Sequence, residues 1–145
     1  MSTENKDIFQ EHIEQIWNNG DASGIERFIA PNYVGFDAAE LISGIEGYKQ
    51  HFERLTTAFS DIRITIEALL AEEDRVVARF VVEATHTGNL GDIPPTGKRV
   101  TITGIEIARI NSHQIIEEHA NSDTLGLLKQ IGITPESVKV APLVF

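Results

Sequence analysis

His86, His119 and Asp123 are the side chains of this sequence best placed by type and spacing to move a proton, with Glu106 and Asn121 beside them. An imidazole titrates near neutrality, and a carboxyl enclosed by apolar groups rises by up to ~3–5 pKa units, so such a set does acid–base chemistry at neutral pH. The sequence holds no His-x-x-x-His pair, no glycine-rich phosphate loop, no Gly-x-Ser-x-Gly elbow and no cysteine. Metal, nucleotide and serine- or cysteine-nucleophile chemistry therefore lack their usual motifs, and neither a cofactor nor a metal is expected.

Strand parity suggests which of these groups share a face. Residues 75–85 alternate, with Val76, Ala78, Phe80, Val82 and Ala84 on one side, and His86 continues that row. In 113–121, Ile115, Glu117, His119 and Asn121 fall together, and Asp123 extends their row if the chain stays extended. Gly104 and Glu106 oppose Ile105 and Ile107. Each residue also has a structural reading: His86 as a satisfied strand-end histidine, Asp123 as a helix N-cap, His119 and Asn121 at a solvent edge, Glu106 and Glu117 as solvated acids. His12, His51 and His113 read as surface, and Tyr48 reads as core first and hydrogen-bond donor second.

The elements that must carry these groups follow from apolar period and stop signals. Ile8, Phe9, Ile13, Ile16 and Trp17 make one helical face over 6–18, ended by Asn19-Gly20. A short helix capped by Asp21 runs to Ala30 before Pro31, and 32–42 reads as loop or irregular strand. Ser43 and Glu46 have capping-box spacing ahead of Ile45, Tyr48, Phe52, Leu55 and Phe59. The period then shortens to two, with Ile62, Ile64, Ile66, Ala68 and Leu70 on one strand face and the strands 75–85, 99–110 and 113–121 after it. A helix over 124–131, capped by Asp123, precedes an apolar extension, 135–145. Three helices followed by four meandering strands imply an α+β fold, a curved antiparallel sheet packed on N-terminal helices around an internal pocket.

The chain of 145 residues fits one domain, 1–145, burying roughly 70% of its unfolded surface. With 22 acidic against 12 basic residues and a formal charge of −10, it disfavours nucleic acid and anionic membranes as partners. No cysteine, no apolar leader in MSTENKDIFQ and no long apolar run suggest a cytoplasmic protein. The apolar extension and an exposed sheet face suggest a homodimer.

The runs THTGNLGDIPPTGKRVTITGIEIARI and IIEEHANSDTLGLLKQIGI, with Trp17-Asn18-Asn19-Gly20 and Ala30-Pro31-Asn32-Tyr33-Val34 before them, resemble the SnoaL-like polyketide (ester) cyclases of the nuclear-transport-factor-two-like superfamily. The resemblance implies a cone-shaped fold and cofactor-free intramolecular aldol closure, or a related isomerisation, of a small apolar carbonyl compound. Asp123 would then move protons, His86 and His119 would assist, and Asn121, Glu106, Phe36, Tyr33, Trp17 and Phe52 would line the substrate site. It implies too that the Gly- and Pro-rich connection 87–98 stiffens a cavity rim. Phe36, His119 and Ser122 depart from residues common in that family. A ligand-binding or dimerisation module is the alternative. An epoxide hydrolase needs an Asp-Arg-Asp cluster, and a ketosteroid-type isomerase needs a tyrosine beside a protonated carboxyl; neither set is visible in the sequence.

Overall fold

Ile8 and Phe9 lie on the buried face of an amphipathic helix, α1 (Ser2–His12), and the chain continues into a π-helical turn, Ile13–Asn18. The computed structural model describes residues 2–37, 40–133, 143 and 144. The widened turn carries Ile13 and Trp17 along the inner side of the fold. Asn18 clamps it to the sheet: its side chain accepts from the Ile64 amide at 2.6 Å and donates to the Ile64 carbonyl at 3.0 Å.

Asp21 caps the next turn through the Ser23 amide, and α2 (Ile25–Phe28) is only one turn long. The helix expected to run to Ala30 stops earlier, because β1 (Ile29–Asp37) begins at Ile29 and takes Pro31 into a strand. Pro31 is tolerated where pairing is interrupted: β1 pairs with β6 (Gln114–Ser122) at Ile29 and again from Val34. β2 (Glu40–Ser43) returns antiparallel to β1, so 32–37 and 40–42 are strand, the second of the two forms expected there. α3 (Gly44–Ala58) follows; Ser43 makes no side-chain cap, and Glu46 pairs with Lys49. The expected capping box is absent.

β3 (Phe59–Glu72), β4 (Arg75–His86), β5 (Arg99–Asn111) and β6 form the expected antiparallel meander. Among the described residues the sheet has six strands in the order β2-β1-β6-β5-β4-β3, two more than the sequence suggested, with β1 parallel to β6. The sheet curls without closing and the helices fill its concave side. α4 (Thr124–Gln130) covers one end, its amino terminus capped by Asp123 through the Gly126 amide at 2.9 Å.

Irregularities in strand pairing change which side chains face inward. On β3, Ile66 pairs with Phe80 while Ala68 pairs with Arg79, so Glu67 is an extra residue. Beyond it Leu69 and Ala71 turn inward, whereas Leu70, expected inside, is 66% exposed. On β6, Ile110 pairs with Ile115 but Arg109 with Glu117, so Ile116 is extra. Every side chain after it changes face.

Candidate active site

The concave face, α3, α4 and the π turn enclose a cavity of about 540 Å³. One end is hydrocarbon, with Phe59, Ile62, Leu90, Ile93, Leu127 and Leu128 in its wall. The other end carries Glu106 from β5, Glu118 from β6, Tyr33 and Asp37 from β1, and Tyr48 and His51 from α3. His12, at the end of α1, closes that side.

Glu106 and Glu118 are 9% and 8% exposed and stand within hydrogen-bonding reach of each other, which requires one of them to hold a proton. Burial, then the neighbouring Glu118 charge, pushes the Glu106 carboxyl well above the usual range, so Glu106 is the neutral member. Tyr33 donates its hydroxyl to Glu118 Oε1 at 3.0 Å. The two phenols stay protonated, held above their ordinary range chiefly by burial and next by Glu118.

The imidazole of His12 is 1% exposed and donates from Nδ1 to the Phe9 carbonyl at 2.6 Å, leaving Nε2 as the acceptor nitrogen. Burial lowers its pKa more than the Glu118 charge raises it. The His51 pKa is lowered too, first by burial and then by Arg54. Both were expected on the surface. A helix face that looks outward by period alone faces the cavity because the sheet wraps around it.

A sequence profile of SnoaL-like polyketide cyclases matches residues 7–131. This chain belongs to the SnoaL-like polyketide cyclase family. Two curated relatives are aklanonic acid methyl ester cyclases: DauD of Streptomyces sp. (strain C5), 28% identical over 144 residues (94% of this chain, 88% of that protein), and DnrD of Streptomyces peucetius, 29% identical over 137 (91% and 92%). The crystal structure of AclR from Streptomyces galilaeus, provisionally named a hydroxylase, superposes with a TM-score of 0.84 at 29% identity, covering 96% of this chain and 91% of that one. The α+β expectation holds, and no helix among the described residues is long and apolar enough to cross a membrane.

Of the residues chosen from sequence in this SnoaL-like chain, Glu106, Tyr33, Trp17 and Phe36 lie in the cavity wall. Phe52 sits one layer back, its ring 5.3 Å from that of Trp17. His119, Asn121 and Asp123 do not line it. All three are exposed: His119 stacks on Phe36 at 4.7 Å and bonds Glu117 at 2.7 Å, and Asp123 caps α4. The extra residue Ile116 is the reason, since it sends Glu117, His119 and Asn121 outward and turns Glu118, Ala120 and Ser122 in.

His86 is fully buried as its parity predicted, yet it too is absent from the wall. Its Nδ1 accepts the Thr96 amide at 3.3 Å and lies 3.0 Å from the Thr96 hydroxyl, while Nε2 has no partner among the described residues. It ties the connection 87–98 to the end of β4. The signal for Glu118 was present in sequence as two adjacent acids, Glu117-Glu118; only the bulge says which one enters.

Proposed function

We propose that this SnoaL-like protein is a cofactor-free cyclase or isomerase of a small apolar carbonyl compound, with Glu118 as base and Glu106 as acid. Glu118 removes a proton from the carbon beside a carbonyl, giving an enolate. In a cyclisation the enolate carbon bonds to a second carbonyl carbon of the same molecule, and Glu106 gives its proton to that carbonyl's oxygen. The proton taken by Glu118 then passes across the contact between the carboxyls, which restores the starting pair with no net proton gained or lost.

What supports the reading is one observation: two adjacent carboxyls, one held neutral, in the wall of an otherwise apolar cavity. Such a pair separates acid and base roles at one pH. The cyclase names of the curated relatives point the same way. A tyrosine next to a neutral carboxyl, absent from the sequence reading, also favours the isomerase variant, in which the proton returns to a different carbon.

Glu118→Gln and Glu106→Gln should each cut turnover of a methyl β-keto ester with an internal ketone by at least ~10²-fold, with the melting temperature held within a few degrees. Asp123→Asn should keep most of the activity. Full activity in both glutamine variants would end the proposal. We further infer one catalytic domain, cytoplasmic and homodimeric, supported by the lack of cysteine and by Ile105 and Ile107, 52% and 41% exposed on the outer sheet face.

A further inference from the structure

Tyr48 is nearly sealed, 2% exposed, and it lies in the cavity wall. Its oxygen accepts a hydrogen bond from the indole N–H of Trp17 at 3.0 Å, and its own O–H donates to no group among the described residues. Tyr33 is different, because its O–H is already engaged by Glu118. A buried hydroxyl with an unused donor is costly unless something arrives to receive it. The two tyrosine rings meet edge to face at 5.1 Å, and the Trp17 ring packs 6.2 Å from that of Tyr48, so the phenol is fixed in direction.

We infer that the Tyr48 hydroxyl is the donor that holds the substrate's enolate oxygen and that Trp17 positions it, so the same cavity takes phenols and stable enols as ligands. The inference rests on the acid–base reading above and divides its labour. The carbonyl beside the carbon that loses its proton places its oxygen at Tyr48, and the carbonyl that is attacked places its oxygen at Glu106. Donation into the phenol oxygen by the indole N–H makes the phenol a stronger donor, because electron density drawn from oxygen loosens its own proton. A phenolate resembles an enolate in charge and in oxygen geometry, and it cannot react. Carboxylate ligands are a poor match, since at neutral pH they arrive already charged against Glu118, whereas a phenol can enter neutral.

The probe is a series of substituted phenols, from 4-nitrophenol to phenol itself, titrated by absorbance so that affinity and ionisation of the bound phenol are read together. Tyr48→Phe keeps the ring and removes one oxygen; it should weaken 4-nitrophenol at least ~10-fold and flatten the rise of affinity with phenol acidity. Trp17→Phe leaves Tyr48 in place and removes the indole N–H together with part of the ring that packs on it. It should weaken binding by ~3–10-fold, and the double variant should bind no worse than Tyr48→Phe alone, because Trp17 acts through Tyr48. Circular dichroism melts accompany each titration.

Binding within twofold of wild type in Tyr48→Phe, or fully additive losses in the double variant, would overturn the inference. Glu118→Gln separates it from the proposed function. Its amide mimics the base after it has taken the proton, so 4-nitrophenolate should bind more tightly there and stay ionised. If Tyr48→Phe weakens phenols while the glutamine variants at Glu106 and Glu118 alter neither ionisation nor turnover, the Tyr48 assignment stands and the acid pair falls.

Discussion

Glu106 and Glu118 are diagonal neighbours on the inward face of the β5–β6 ladder: Glu106 is paired with Ala120, and Glu118 with Ala108. Diagonal side chains lie within reach of one another, and Ala120, opposite Glu106, lines the cavity, whereas Ala108, opposite Glu118, packs in the core. Ala120→Leu should therefore fill the acid end of the cavity. Ligand affinity should fall at least ~10-fold, while the melting temperature moves by only a few degrees because the new atoms enter open space rather than a packed core. Phenol titration and thermal melting check both halves.

The raised pKa of Glu106 makes stability depend on pH in a definite direction. Between its ordinary value of 4.5 and its higher folded value, the folded state holds a proton that the unfolded chain has released. Its contribution is complete below 4.5 and is lost as pH rises through the folded pKa. Denaturant unfolding across this range should show a stability difference between wild type and Glu106→Gln that grows as pH increases. His12 acts with the opposite sign: its pKa is lowered from 6.5, so its contribution is present above 6.5 and lost as pH falls. His12→Asn should lose that acid-side dependence.

His86 and Thr96 form the tie between the end of β4 and the proline-rich connection. His86→Phe keeps a buried ring and removes the acceptor of the Thr96 amide. Hydrogen exchange should speed at Thr96 by ~10-fold or more while the β4–β5 ladder keeps its protection. Unchanged exchange at Thr96 would show that the connection is held by its backbone bonds alone.

Gly104 is paired with Phe80, and a Cβ at residue 104 would strike the Phe80 ring, which belongs to the cavity wall. Gly104→Ala should displace that ring. Expected are a stability loss of ~1–3 kcal/mol and weaker ligand binding, measured by denaturant unfolding and phenol titration.

Asp123 caps α4 and is exposed. Asp123→Ala should cost ~0.5–2 kcal/mol of stability through the lost cap, and Asp123→Asn much less, since asparagine caps nearly as well. Equal loss of turnover in both variants, with the fold intact, would return the proton-moving role to Asp123.

Much of the fold is written in period. The meander, the inward row of β4 ending at His86, the α3 face and the α4 cap all follow from alternation, helical spacing and turn residues. The acid pair is half legible. Glu106 is reached by counting along an unbroken strand, whereas Glu118 is not, because a single unpaired residue, Ile116, shifts the parity of everything after it and leaves no mark in composition. β1 was hidden by Pro31 and Gly35, which weaken local strand preference; its place comes from pairing with β6, far along the chain. His12 and His51 were misplaced because period tells which side of a helix is apolar, and a polar residue facing an enclosed space has no such signature.

The Tyr33–Glu118 bond joins residues 85 apart, across the parallel ladder of β1 with β6. A ribosome delivers Tyr33 long before its acceptor, so the amino-terminal helices and β1–β2 must wait, with their oily faces unburied, for almost the full length of chain. Only when the last strand slots between β1 and β5 does the reaction chamber exist at all. The chamber is therefore completed in a single late step of synthesis, and a nascent chain stalled before residue 118 carries α1, α2, α3 and both tyrosines but neither Glu118 nor α4.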